Sequence, residues 1–226
     1  MKISDNTLNV LKNFSLINPG ILVKPGSVLT TVSPLKTILA EAKIEENFEK
    51  GFAIYDLNCM LGIFSLDNET PDIELEDKFL KIVGYGKRSV AKYFYADPIM
   101  VVSPPDKKLN LPSVDINIKL SAKDLSYTLR HANLLNAPHI SFESDGKKVY
   151  MSATDTLNAT SNNFRLELKD GDGTEYKMIY KKENLDVIMS KDYDVTISSK
   201  FISKFVSEDK IMTYWIAVEK EGSKFG

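Results

Sequence analysis

The chain has 226 residues, 43% of them hydrophobic and 27% charged, with a formal net charge of -2 and a sequence pI near 5.8. That length can bury a sizeable core in one large domain or two small ones, and the mild acidity excludes a surface that is basic throughout. One cysteine, Cys59, excludes an intrachain disulfide framework.

Taken in chain order, the opening MKISDNTLNVLKNF is polar after Lys2, so no signal peptide is expected. No apolar run approaches the ~18 residues of a membrane span, and a soluble intracellular protein without membrane contact is expected. Ser4 suits the N-cap of a first helix that buries Leu8, Leu11 and Phe14. Asp56 suits the cap of a second helix running to Leu66, in which Cys59 is expected as a buried, inert thiol. Ile73-Glu74-Leu75-Glu76 alternates as a half-buried strand does. Gly84-Tyr85-Gly86 lacks the third glycine and following helix of a dinucleotide loop. Arg88 to Tyr95 is the last strand before a stretch from Pro98 to Pro112 that holds four prolines. Those prolines exclude a central strand or helix interior and mark an extended connector. Its apolar residues imply that it docks on something.

Ser121-Ala122-Lys123-Asp124 has the form of a capping box, and its helix should bury Leu125, Leu129 and Ala132 and stop at Pro138. Asp145-Gly146 and Asp172-Gly173 read as hairpin turns in which glycine takes the positive φ. Phe164-Arg165-Leu166-Glu167-Leu168 and Tyr193-Asp194-Val195-Thr196-Ile197 alternate with period two, and Lys182 to Ser190 reads as a short fourth helix.

The chain repeats itself weakly. Lys2-Ile3-Ser4 with Leu8 answers Lys119-Leu120-Ser121 with Leu125, and Pro19-Gly20-Ile21 answers Pro138-His139-Ile140. Ile54-Tyr55, followed by Met60, Ile63 and Phe64, answers Ile179-Tyr180, followed by Leu185, Ile188 and Met189. Asp72-Ile73-Glu74-Leu75 answers Asp194-Val195-Thr196-Ile197. Four matches in one order indicate two copies of a domain-sized unit. The expected class is α+β, with a first domain over 1–97, a connector over 98–114 and a second domain over 115–226.

Motifs for chemistry are missing. His131 and His139 are the only histidines, no HExxH or Cys/His metal spacing occurs, and no carboxylates are paired by spacing. Asp170-Gly171-Asp172-Gly173 lacks the remaining ligands of a calcium loop and suits a tight turn. Asn13-Phe14-Ser15, Asn68-Glu69-Thr70 and Asn158-Ala159-Thr160 fit the glycosylation pattern but carry no meaning without secretion. No catalytic residue, metal or cofactor is expected.

Leu11-Lys12-Asn13-Phe14, Ile17-Asn18, Gly20-Ile21 and above all Ala53-Ile54-Tyr55-Asp56-Leu57-Asn58 with Leu61-Gly62-Ile63 carry a family resemblance. Weaker echoes follow at Ala96-Asp97-Pro98, Ala122-Lys123-Asp124-Leu125 and Phe164 to Leu168. The chain resembles, end to end, the DNA sliding clamps of T-even-type bacteriophages. The resemblance implies two similar domains, each with two helices packed on antiparallel sheets, and three subunits closed head-to-tail into a ring around duplex DNA. It implies a clamp-loader ATPase and the replicative DNA polymerase as partners, late-transcription factors besides, no enzymatic activity, and a location in the cytoplasm of an infected bacterial host. It also implies site residues. Lys12, Lys123, Arg130, Lys181, Lys182 and Lys191 lie on or beside helices that would face DNA, although they also read as ordinary solvated charges. Leu109, Leu111, Trp215 and Ala217 would take a partner peptide, although Trp215 also reads as core in an alternating strand. Arg88, Val90, Lys92 and Phe94 would pair across a subunit interface with Phe164, Leu166 and Leu168. A structural phage protein of the capsid or tail, and a hydrolase with a dispersed site, remain as competing readings.

Overall fold

The computed structural model describes residues 1–66, 72–107, 109–158 and 160–226. Two glycosylation patterns, at Asn68 and across Ala159, therefore lie wholly or partly outside the described residues, as does Lys108 of the connector. The chain forms two compact units, Met1–Lys107 and Lys108–Gly226.

Unit one begins with α1 (Asp5–Ile17), continues through β1 (Ile21–Val23), β2 (Gly26–Val32), β3 (Ile38–Phe48) and β4 (Phe52–Ile54), then α2 (Leu57–Phe64), and ends in β5 (Asp72–Leu75), β6 (Phe79–Gly84) and β7 (Ser89–Phe94). Unit two runs through β8 (Ile116–Leu120), α3 (Ala122–Leu135), β9 (His139–Asp145), β10 (Lys148–Thr154), β11 (Phe164–Asp170) and β12 (Glu175–Lys181). It then passes α4 (Lys182–Asp186) to β13 (Tyr193–Ser198), β14 (Ile202–Ser207), β15 (Met212–Ala217) and β16 (Glu219–Phe225). The helix–strands–helix–strands order is thus repeated, and the opening strand β8 of unit two has only a single bridging residue, Lys2, as its counterpart in unit one.

Pairing repeats as well. In unit one β1 pairs β4, β2 pairs β3, and β5-β6-β7 form a sheet whose first strand is bridged by Lys2, all antiparallel. In unit two β9 pairs β12, β10 pairs β11, and β8-β13-β14-β15 form the matching sheet. The first amide of each second helix donates to the proline carbonyl that follows the first helix: Leu57 N–H to Pro19 O at 2.7 Å, and Lys182 N–H to Pro138 O at 2.9 Å.

Local chemistry explains the helix ends. Ser4 Oγ accepts from Thr7 N–H, Asp56 Oδ1 from Cys59 N–H, and Ser121 Oγ from Asp124 N–H, each satisfying an orphan first-turn donor. Glu46, buried on β3, adds a cap from outside by accepting from Ser4 N–H and Thr7 Oγ1. Burial alone would raise its pKa, and those donors outweigh burial and hold it below the usual carboxylate value.

Some expectations are corrected. α3 ends at Asn136 in the left-handed conformation (φ 52°), two residues before Pro138, because Asn tolerates that cap. Thr128 is buried on α3 where Leu129 was expected, and Leu8 on α1 is only half-buried beside buried Val10 and Leu11. The fourth helix stops at Asp186, since Val187 to Ser190 turn toward β13. Cys59 is exposed, because the apolar face of α2 is made by Leu57, Met60, Leu61 and Phe64 and Cys59 points away from it.

Each unit closes over its own core. Phe14, Ile21, Leu29, Ile54, Leu57 and Leu80 are fully buried in unit one. Unit two uses more aromatic bulk: Phe142 meets Tyr180 edge-on at 5.6 Å, and Tyr180 meets Phe205 at 6.3 Å. Gly146 and Gly173 hold their turns at φ 83° and 93°. At Gly171 a Cβ would lie 2.5 Å from the Gly146 carbonyl; the turn at Asp172-Gly173 is not the hairpin expected, because β10 and β9 lie between β11 and β12, and this connection crosses the tip of the β9–β10 hairpin only through glycine.

Candidate functional site

The described residues contain no group of three His, Cys, Asp or Glu side chains placed to hold a metal. Asp172 instead accepts from Thr174 N–H, which closes its turn. The features that could meet partners are helix faces and strand edges.

On α3, Lys123, Tyr127, Arg130 and Leu134 are exposed along one stripe, as their spacing requires. Lys123, Ser126, Tyr127 and Arg130 line a shallow groove of about 440 Å³ with Ser190 beyond α4. Arg130 Nε donates to Ser126 O at 3.3 Å, which steadies its stem and leaves the rest of the guanidinium available. The other basic candidates sit differently. Lys181 is half-buried at the end of β12, and Lys182 is paired with Asp186 one turn on. Lys191 is paired with Asp209. Burial would raise the Asp209 pKa, yet Lys191, Ser207 Oγ–H and Ile211 N–H prevail and bring it down to about 2. Lys12 is exposed on α1 of unit one.

Among the edge strands, β7 and β11 carry the residues expected to pair between subunits. β7 is the last strand of β5-β6-β7, and β11 the first of β11-β10-β9-β12-β16. Arg88, Val90, Lys92 and Phe94 are all exposed, with Val90 at 56% and Phe94 at 65%. Exposed valine and phenylalanine thus lie on an edge that no strand among the described residues covers. On β11, Phe164, Leu166 and Leu168 are half-buried on the face toward α3. His131 stacks on Phe164 with centroids 4.0 Å apart, and Tyr127 meets both rings edge-on. Sequence reasoning missed Tyr127 and His131. Their i,i+4 spacing was visible, but Phe164 lies on a strand more than thirty residues later and nothing local announces it. Lys148 fastens the other side of β11 through ion pairs to Glu167 and Asp170.

Trp215 on β15 is 5% exposed, and Lys204 Nζ lies 5.5 Å above its ring. Its indole N–H has no acceptor among the described residues. Ala217 and Leu111 are half-buried, while Leu109 is exposed. Residues 98–107, the start of the stretch expected to be a connector, belong to unit one and pack within it. Asn18 Nδ2 donates to Val102 O and Val32 O, Val101 packs within 3.3 Å of the Cβ position of Gly20, and Lys24 pairs with Asp106. Pro98–Met100 forms one 3-10 turn, with proline at its tolerated first position.

The fold is shared with PCNA: the A. fulgidus protein, bound to the C-terminal region of FEN-1, superposes with a TM-score of 0.69 at 16% identity over 98% of each chain. A family model described as DNA polymerase processivity factor matches residues 4–102. A sliding clamp of Vibrio phage KVP40 is 30% identical over 226 residues, covering 97% of this chain and 99% of that protein. A sliding clamp of Escherichia phage RB69 is 31% identical over 231 residues, covering 99% of each. The chain belongs to the sliding-clamp family of T-even-type bacteriophages, the DNA polymerase processivity factors. The competing reading as a capsid or tail component finds no support in these relatives.

Proposed function

We propose that three copies of this chain close head-to-tail into a ring that encircles duplex DNA and tethers the replicative polymerase, without performing any chemistry of its own. The observation that carries the assembly is the pair of one-sided strands. β7 offers exposed Val90 and Phe94, and β11 offers a free edge beside Phe164, Leu166 and Leu168. A heterologous contact of two different edges closes into a ring when the rotation allows it. Enclosure then supplies retention topologically, so dense phosphate contacts, each salt-dependent, are unnecessary. That agrees with the slight acidity of the chain.

A clamp-loader ATPase would open the ring at one β7–β11 contact. Late-transcription factors would share the surface used by the polymerase, and the ring would work in the cytoplasm of an infected bacterium. We assign a partner's short terminal peptide to Leu109, Leu111, Trp215 and Ala217, and the connector between the domains to residues 98–114. The A. fulgidus PCNA bound to a C-terminal region of FEN-1 exemplifies such a ligand.

The test is topological. Loaded with clamp loader and ATP onto nicked circular duplex, the protein should co-elute with DNA in gel filtration and be released when one restriction cut linearises the circle. Equal retention on circular and linear DNA would exclude enclosure.

A further inference from the structure

The helix faces of the two units are not equivalent. In unit one, α1 presents Asp5 and Lys12, seven residues apart on one face, so the helix has no net charge. Asn6, Asn9 and Leu16 are exposed around them. α2 carries no charged residue from Leu57 to Phe64, and its N-cap Asp56 is acidic. Its open face is Asn58, Cys59 and Gly62, and a Cβ at Gly62 would meet nothing within 4 Å. In unit two, Lys123 and Arg130 stand in one groove with a single carboxylate, Asp124, which accepts from Ser121 Oγ, and neither cation forms an ion pair among the described residues. Lys182 and Lys191 are already engaged by Asp186 and Asp209.

We propose that duplex DNA is held by unit two alone, through Lys123 and Arg130 on α3, while the helices of unit one form a wall without net positive charge that the DNA passes without gripping. The proposal rests on the ring reading above. A ring of three such subunits then has three phosphate-binding arcs alternating with three neutral ones, instead of a uniformly basic hole. Lys123 and Arg130 lie about 10 Å apart along the helix at 1.5 Å per residue. They are far enough apart to meet separate phosphates, and they read no bases. The neutral arcs keep the number of simultaneous contacts low. The alternative is that these cations are solvated surface charges and that DNA shows no preference between units.

Position-specific photocrosslinking separates the two. The single native thiol is removed with Cys59→Ser, and a benzophenone maleimide is placed on Gly62→Cys for unit one or Leu134→Cys for unit two. Leu134 is 80% exposed and continues the Lys123–Tyr127–Arg130 stripe, so both sites accept a label. Asn58→Cys and Ser126→Cys serve as second sites should either label disturb folding. Rings are loaded on nicked circular duplex and irradiated at matched salt. One unit charge pair near 4 Å in water is worth about a factor of five, so crosslinking from Leu134→Cys should exceed that from Gly62→Cys by about fivefold or more. Adding Lys123→Glu and Arg130→Glu to both variants should bring the two yields together. Equal yields before the reversals, a larger yield from Gly62→Cys, or no crosslink from either label on a retained ring would overturn the proposal. Loss of retention by the unlabelled Cys59→Ser ring, by contrast, would point to the ring reading itself.

Discussion

Phe94→Ala tests the subunit contact with a magnitude that the structure supplies. Phe94 is 65% exposed on a strand with a neighbour on one side only. A phenylalanine contributes roughly 200 Å² when fully covered. About 130 Å² of it therefore remains for a partner strand, worth about 3 kcal/mol at 25 cal/mol per Å². Alanine keeps the Cβ, so the loss per contact is about 2–3 kcal/mol, a weakening of roughly a hundredfold. The isolated fold should tolerate the change, because the recorded ring contact of Phe94 is a tilted one with Phe79 at 5.6 Å. Sedimentation equilibrium over a wide concentration range should show the wild type as trimer where the variant is monomer, with far-UV spectra unchanged. Trimerisation of the variant with wild-type concentration dependence would refute the assignment of β7 to the subunit contact.

Trp215→Ala should weaken binding of a polymerase C-terminal peptide by about 2 kcal/mol or more if the indole anchors it; a lower melting temperature with unchanged peptide affinity would assign Trp215 to the core instead. Reversing Lys123 and Arg130 together to Glu should cut loader-dependent primer extension on a circular template severalfold while leaving the assembly intact, since repulsion replaces attraction in a channel that focuses the field. Asp209 titrates near 2 in the folded chain against an ordinary 3.8, so its pairing with Lys191 stabilises the protein above about pH 4 and that contribution is lost as pH falls toward 2. With both groups partly exposed, the contribution is about 1 kcal/mol after solvent screening, and Asp209→Asn should remove that much at pH 6 and almost nothing at pH 2 in urea unfolding. Glu46→Ala should destabilise unit one by about 1.5–3 kcal/mol in the same assay, because it leaves Ser4 N–H and Thr7 Oγ1 without their charged acceptor.

Much of this architecture is legible from sequence because it rests on short-range chemistry. Ser4, Asp56 and Ser121 are capping residues three positions before the amides they accept from, and the alternation of β5, β11 and β13 stands in plain view. Glu46 is not legible, since its partners lie about forty residues away and a carboxylate in a long strand looks like a solvent-facing residue. Cys59 misleads for a related reason. In a helix of eight residues the apolar stripe is wide, and one residue's shift in phase decides whether a thiol faces the core or the solvent. Among the candidate cations, the lysines on the sequence were easy to count, whereas the ion pairs of Lys182 and Lys191 depend on which carboxylates turn toward them.

The paired hydrogen bonds from Leu57 to Pro19 and from Lys182 to Pro138 have a consequence for how such a chain can diverge. Both bonds use main-chain atoms, and their donors are a leucine in one half and a lysine in the other. Every residue but proline carries that donor and every residue carries that acceptor, so side-chain substitution can erase the likeness of the halves without touching the latch between each helix pair. Insertions and deletions are a different matter, because they change the path that brings amide to carbonyl. The ancestry of a doubled protein is then kept longest in its spacing and in the bonds no codon specifies, and kinship between its halves is better sought there than in matched residues.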